Sequence, residues 1–443
     1  MQAIPYNLSE IHKQATVQFH VKKVLSPNSM LMVEKVTLIP PINTNILMKS
    51  VLDTGKKLRA QIAYKEPSLS PVPPQYEQKF DWLTDRRNGQ TTDVNNHITP
   101  VGNQYACGCC WAFSTADAVS DSFVQSGLLK ANPRCSVSYI LSCYPHCRPD
   151  SICNNSIASF QCGGGQIATT LLWISDNGIG SLDCEDYSWC SRNKSCTTGA
   201  GNTDSLNALI PECPNKCKNL FFIENPTSVG LTSHDTTTIQ KQTKYIKQWI
   251  YNVGTVLTGF FVYQNLLGGT FISDKNPDNI YLENVDYTND ALFAYDNMNQ
   301  FEGGHAVCVI GWGTGRVHNS LIADSSLHST SGDGFTDVPY WIVRNSWGET
   351  WGDNGTFRMA MYPFNKISQF DSYVEINTDL GKGSAGGFVV FTPTLKGSNS
   401  NTTLSDDDNQ DNSSSFASKR NIIIWVVTII VMFLILCVLM KWV

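Results

Sequence analysis

This 443-residue chain carries no surplus of positive charge. Its 32 Lys and Arg stand against 38 Asp and Glu, giving a formal net charge of −6 and a pI near 5.8. Such a balance offers no basic face, so no nucleic-acid partner is expected. Residues 1–23 lack the apolar stretch of a secretory signal. Paired metal-ligand spacings are missing as well. Cys213 and Cys217 lie close together, but no second Cys or His pair accompanies them, so neither a metal nor another cofactor is expected. No internal repeat stands out.

Cysteine and glycine, by contrast, are plentiful, at 15 and 32 residues. Residues 104–114 read Gln-Tyr-Ala-Cys-Gly-Cys-Cys-Trp-Ala-Phe-Ser. Ala112, Ala116, Val119 and Phe123 recur at helical spacing, which starts a helix at Cys110 and gives it an apolar face. A thiol attacks as thiolate, and unpaired N–H groups at a helix N-terminus lower its pKa. Gln104 is placed to donate to a developing oxyanion beside the Cys110 backbone N–H. Two other readings compete. Cys107-Gly-Cys-Cys110 is a C-x-x-C, which suits a redox pair or half a metal site. A buried cysteine cluster before a core helix would need no chemistry at all. A base elsewhere decides between them, since nucleophile and base need not be neighbours in sequence.

His305 supplies a candidate. It precedes the β-branched run 306–310, which is closed by Gly311 and Gly313 and reads as a short buried strand with the histidine at its entry. A lone histidine there is more often a satisfied core residue. The segment 340–348 shifts those odds, because it reads as a second buried strand ending in Asn345. An amide beside a histidine can fix its tautomer and orientation, and Trp347 can shield that bond from water. A turn begun by Asn345 ahead of Gly348 is the plainer alternative.

These segments resemble the papain-like cysteine proteases, with Cys, His and Asn in that order. The resemblance implies Cys110 as nucleophile, His305 as base and acid, Asn345 as its orienter and Gln104 in the oxyanion hole. It extends to Phe80-Asp81-Trp82, similar to the start of a mature domain, and to Ile98-Thr99-Pro100-Val101. Cys162-Gly163-Gly164-Gly165 resembles the loop that pairs with substrate backbone. Gly164, Gly165 and Trp347 are thus implied in substrate binding, with Gly165 nearest the peptide. Gly163 stands where the family usually has Asn, and Cys109 where serine is commoner; a thiol there could form a disulfide with the nucleophile. The cathepsin B branch is the most similar, through Ala118-Val119-Ser120-Asp121, residues 249–256, residues 261–263 and Trp351-Gly352-Asp353-Asn354-Gly355. The implied fold is α+β and two-lobed, a helical lobe plus a β-barrel-like lobe with the cleft between them. The implied activity is that of a cysteine endopeptidase acting on protein or peptide substrates.

The resemblance also implies bridges Cys107–Cys162, Cys143–Cys213, Cys184–Cys217 and Cys190–Cys196, with Cys147–Cys153 as a looser pairing. Bridging Cys107 elsewhere would remove the redox option. Cys308 reads as a free thiol in a buried strand. The loop 190–196 corresponds to the cathepsin B segment that captures a substrate's C-terminal carboxylate through histidines. Here it holds Arg192 and Lys194 but no histidine, which favours endopeptidase over carboxypeptidase action. Tyr373 falls where cathepsin B has an acid in the S2 pocket, so an apolar or aromatic P2 residue is expected.

Residues 422–440 contain no charge and one polar residue, Thr428. A spanning helix needs ~20 predominantly apolar residues, so the run reads as a single transmembrane helix with the lipid bilayer as partner. A Ser-, Asn- and Asp-rich stretch precedes it and reads as a flexible stalk. The expected organisation is an N-terminal extension or propeptide-like segment at 1–72, a peptidase domain at 73–380, a stalk at 381–420 and the membrane helix at 421–441. Lys419 and Arg420 before the span outnumber Lys441 after it, which places the catalytic domain on the cytoplasmic side. Disulfide-dense domains are rare in that reducing compartment. A large DNA virus assembling in the cytoplasm, with its own disulfide chemistry and this chain in its virion membrane, would reconcile the two signals. A lumenal or extracellular domain is the alternative. The rival functions are a catalytically silent papain-like structural membrane or virion protein, and a C-x-x-C thiol-disulfide oxidoreductase.

Overall fold

A computed structural model describes residues 69–85, 97–146, 159–229, 236–269, 271, 273–293, 301–365 and 388–395. Helix α1 (Cys110–Gln125) starts where the apolar spacing places it. It ends at Ser126-Gly127, where Gly127 takes a φ of +84° and its N–H reaches the Val124 carbonyl. All of its residues are buried rather than one face only. Its polar residues tolerate this because they are paired locally. Thr115 Oγ1 donates to the Trp111 carbonyl at 2.7 Å, Ser120 Oγ to Ala116 at 2.7 Å and Ser122 Oγ to Val119 at 2.8 Å. Helix α2 (Val137–Cys143) is capped by Ser136, whose hydroxyl accepts from the Tyr139 N–H, worth about 1 kcal/mol. Helices α3 (Ile167–Asn177) and α4 (Thr236–Asn252) complete the longer helices among the described residues.

The strands are β1 (Phe80–Asp81), β2 (Ile179–Gly180), β3 (Leu220–Val229), β4 (Val256–Tyr263), β5 (Ile280–Tyr281), β6 (Val285–Asp286), β7 (Ala291–Leu292), β8 (Phe301–His318), β9 (Phe335–Arg344), β10 (Thr356–Ala360) and β11 (Phe388–Thr394). The main sheet runs β2-β3-β11-β4-β8-β9-β10-β5, with β1 on β8, and β6 and β7 form a separate two-stranded sheet among the described residues. The α+β expectation holds, with most helices before β4 and most strands from β4 onward. Barrel closure does not appear: among the described residues the strand path has two ends, β2 and β5. The long strand β8 takes its place. β4 lines one edge of β8 from Phe301 to Val309, β1 continues that edge at Gly311 and Trp312, and β9 occupies the other.

β8 is also far longer than the short strand read around residues 306–310, and His305 lies inside it. Glycines hid its length, yet close packing demands one of them. A Cβ on Gly311 would sit 2.2 Å from the Phe80 carbonyl oxygen. Trp82 anchors that crossing, fully buried with its indole N–H on the Ile250 carbonyl at 2.9 Å. Helix α1 packs against β8, so the nucleophile helix and the histidine strand share one core.

The body is already ordered at Leu69 and Val72, which pack on the core ahead of the boundary expected at residue 73. Among the described residues, disulfides join Cys107 to Cys162, Cys143 to Cys213, Cys184 to Cys217 and Cys190 to Cys196, the pairings that the resemblance implies. Cys147 and Cys153 lie outside the described residues, as do the extension up to residue 68, Tyr373, residues 381–387 and 396–420 of the expected stalk and the apolar run 422–440. The boundary expected at residue 380 is corrected: residues 388–394, read as flexible stalk, form β11, a largely buried strand paired with β3 and β4, so the folded domain extends past it. Among the described residues no helix is long and apolar enough to cross a membrane.

Candidate active site

Cys110 is the first residue of α1, and its thiol is fully buried. Burial pushes that thiol up to about 12, opposed by the backbone N–H groups of Ala306, Trp111 and Cys110. A helix N-terminus alone would lower the value. The helix N-terminus does pull downward, but in the closed site loss of water outweighs it. The Ala306 contact also places the thiol beside the residue that follows His305.

His305 is 1% exposed, with its ring between two aromatic neighbours. Trp347 lies 4.7 Å away at 31°, and Phe260, opposite His305 in the β4–β8 ladder, meets it edge-on at 5.9 Å. The strand register explains the next contact. Arg344 pairs with Cys308 across β8 and β9, so Asn345, one residue further, faces back toward His305. Nε2 of His305 and Oδ1 of Asn345 are 2.7 Å apart. The Ser346 N–H also donates to that oxygen at 2.8 Å, which identifies it as an acceptor. Nε2 of His305 therefore carries the proton. The other ring nitrogen, Nδ1, is buried and has no hydrogen-bond partner among the described residues. Burial lowers His305 to about 4, against the opposing bond to Asn345. The closed site thus holds a neutral thiol and a neutral imidazole whose Nδ1 lone pair is available as a base.

Gln104 is fully buried and tied to both sides of the site. Its backbone N–H donates to the Ser346 carbonyl at 2.8 Å, and its Oε1 accepts from the Ser346 hydroxyl at 2.7 Å. Its Nε2 donates to the Cys107 carbonyl at 3.0 Å. Ser346 was not singled out from sequence, although it stands between the two residues that were. Gly164 caps a short turn at φ +122°, and Gly165 lies flat on Trp111, where a Cβ would come within 2.5 Å of the indole. Gly165 therefore packs on the residue after the nucleophile.

The bridge from Cys107 to Cys162 takes Cys107 away from Cys110, which removes the C-x-x-C pairing. Cys109, Cys110, Cys135 and Cys308 are the free cysteines among the described residues, all buried. Sequence reasoning also missed Tyr187, whose hydroxyl meets both Cys109 and Gln104. It missed Arg344 too, which ties β9 to α1 through Asp121.

Residues 78–374 match the profile of the papain family cysteine protease. Probable cysteine proteinase 024R of Invertebrate iridescent virus 3 is 34% identical over 347 residues, covering 73% of this chain and 66% of that protein. Probable cysteine proteinase 361L of Invertebrate iridescent virus 6 is 32% identical over 354 residues, covering 72% and 61%. Cathepsin B-like cysteine proteinase 3 of Caenorhabditis elegans is 27% identical over 272 residues, covering 60% and 58%. The chain thus spans 58% to 66% of the length of these curated relatives. A match over this span, joined to an α+β fold that brings Cys110, His305 and Asn345 into one buried site, means that the chain belongs to the papain family of cysteine proteases.

Proposed function

We propose that this chain is a cysteine endopeptidase that cleaves peptide bonds through an acyl-enzyme. One arrangement carries the reading. The Cys110 thiol meets the Ala306 N–H while His305, held through Nε2 by Asn345, keeps Nδ1 unpartnered. Cys110 attacks the scissile carbonyl as its proton passes to Nδ1 of His305. The imidazolium keeps its bond to Asn345 and lies against the Trp347 ring. The Cys110 backbone N–H and the Gln104 amide stabilise the oxyanion. His305 then protonates the leaving amine, regains its lone pair and deprotonates the water that hydrolyses the thioester.

The closed site disfavours separated charge, so this proton transfer requires the cleft to admit substrate and water. Arg192 and Lys194 are exposed on the disulfide-closed loop, which contains no histidine. They read as a solvated surface rather than a carboxylate trap, which supports endopeptidase over carboxypeptidase action. Gly164 and Gly165 pair with substrate backbone in this reading. Labelling the full chain with a thiol-directed epoxide should modify Cys110, and Cys110→Ala should abolish both label and peptide turnover. Turnover that survives Cys110→Ala would sink the assignment. A purified chain that neither labels nor turns over peptide would favour the catalytically silent structural alternative.

The same proposal tethers the enzyme to a membrane through residues 422–440, with the Ser-, Asn- and Asp-rich residues 396–420 beyond β11 as a stalk. The uncharged run supports this. Matches in two iridescent viruses support a viral setting, with the catalytic domain on the cytoplasmic side or in a virion membrane. Carbonate extraction should leave the full chain with membranes and release a chain ending at residue 420. Equal release of both would remove the tether.

A further inference from the structure

Granted the protease reading above, we propose that Tyr187 is a positioning residue for the oxyanion hole. Its hydroxyl ties the residue before the nucleophile to the residue that supplies the hole's amide, with Cys109 as its anchor.

The two proposed donors lie six residues apart on one segment. Gln104 belongs to a loop fastened to Ser346, and the Cys110 N–H belongs to α1. Between them the backbone turns sharply, with Tyr105 at φ +51°. An oxyanion needs its donors 2.7–3.1 Å away, and such a site must be held to within about 0.5 Å. The Gln104–Cys107 turn links them in part, through the Cys107 N–H on the Gln104 carbonyl at 3.2 Å and Gln104 Nε2 on the Cys107 carbonyl at 3.0 Å, and Tyr187 adds a tie to the residue directly before the nucleophile.

The Tyr187 hydroxyl sits 3.0 Å from the Gln104 carbonyl oxygen and 3.3 Å from the Cys109 Sγ. The direction of this chain follows from hydrogen-bonding capacity. A carbonyl only accepts, so the single Tyr187 proton goes to Gln104. The hydroxyl oxygen is then left to accept from the Cys109 S–H. Burial pushes both the Cys109 thiol and the Tyr187 phenol up, so each keeps the proton that this arrangement needs. Bonds joined in series polarise one another, so losing one weakens the next. The Tyr187 ring is clamped edge-on by Phe113 and Trp189, each at 5.0 Å. Phe113 lies on α1 itself, so the tyrosine moves with the nucleophile helix.

Cys109, the departure from the commoner serine, then acquires a role. A thiol is a weaker donor than a hydroxyl, but it donates in the same direction. Serine should serve there equally well, and alanine should not.

The test uses the full chain with Tyr187→Phe, Cys109→Ala and Cys109→Ser. Steady-state turnover of a peptide substrate is compared with the alkylation rate of Cys110 by iodoacetamide, a reaction that forms no oxyanion. Complete loss of an oxyanion donor costs ~100-fold or more in kcat. A donor displaced rather than lost should cost less, on the order of tenfold. Tyr187→Phe and Cys109→Ala are expected to lower kcat on that scale, with KM and alkylation within about twofold of the parent. Cys109→Ser is expected to restore kcat. The proposal is overturned if Tyr187→Phe keeps the parental kcat, if alkylation falls in parallel with kcat, or if serine and alanine at residue 109 behave alike. Should the parent turn over no peptide, the protease reading fails on its own. Amide hydrogen exchange over residues 104–110 then decides the tether: faster exchange in Tyr187→Phe supports it and unchanged exchange overturns it.

Discussion

Arg344 immediately precedes Asn345, and replacing it with methionine should unseat the end of β9. Its guanidinium is 1% exposed and reaches Asp121 of α1, with Nη1 2.8 Å from Oδ2. Asp121 is fully satisfied around that bond. Its Oδ1 accepts from the Thr99 N–H at 2.6 Å, the Thr99 hydroxyl at 2.7 Å and the Asn132 amide at 3.2 Å, and its Oδ2 accepts from the Thr255 hydroxyl at 2.9 Å. So many donors fit an ionised carboxylate. Asp117, one turn earlier on the helix, is differently placed. It lies 3.6 Å from Arg344 Nε, too far for a hydrogen bond, and burial raises it to about 7 despite the opposing pull of Arg344.

The two aspartates should therefore respond differently. Arg344→Met leaves a buried charge at Asp121 without its counter-ion and should cost about 3–5 kcal/mol. Asp117→Asn replaces a carboxyl that is largely protonated below neutral pH with a neutral isostere and should cost under about 1 kcal/mol near pH 5. The sign of the pH effect follows from the raised value. Asp117 contributes stability below 3.8 that is lost as pH rises toward about 7. At 1.36 kcal/mol per pH unit, that span amounts to about 4 kcal/mol. Asp117→Asn should gain on the parent by that order between pH 4 and pH 7. Denaturant unfolding of the full chain and both variants, at pH 5 and pH 7.5, measures each quantity. Equal cost for Arg344→Met and Asp117→Asn at pH 5, or a stability difference between Asp117→Asn and the parent that does not change with pH, would refute the assignment of charge.

Asn345→Ala should lower kcat on a peptide by ~10- to 100-fold, because Nε2 of His305 then loses its acceptor; an unchanged kcat would remove Asn345 as orienter. Burial holds His305 at about 4, below its ordinary 6.5, so it contributes stability above pH 6.5 that fades as pH falls toward 4. That contribution is about 3 kcal/mol, and His305→Gln should flatten the stability profile over this range in thermal melts. Replacing both Cys107 and Cys162 with serine opens a bridge with a sequence separation of 55 and should cost about 4 kcal/mol, seen as a lower denaturant midpoint. A midpoint that stays at the parental value would mean that the bridge constrains nothing.

Residues whose role depends on their immediate neighbours were legible in the sequence; those whose role depends on a distant partner were not. Cys110 could be placed because the helical spacing of Ala112, Ala116, Val119 and Phe123 starts there, and the structure begins α1 at that residue. His305 and Asn345 each border an apolar run, and register brings the end of β9 back beside His305 within β8. Tyr187 and Arg344 border nothing distinctive. Their partners lie 83 residues away at Gln104 and across the molecule at Asp121, and no periodicity encodes such a meeting. Polar letters misled in the same way. Ser114, Thr115, Asp117 and Asp121 look like the wet side of an amphipathic helix, yet α1 buries them and pairs them with its own carbonyls or with Arg344. The thiol pKa shows the limit most sharply. The helix N-terminus is a local feature and could be read directly, but the burial that overrides it is assembled from α1, β8 and the segment after β9. Reactivity at Cys110 is therefore governed less by the motif that reveals it than by whatever admits water to the cleft.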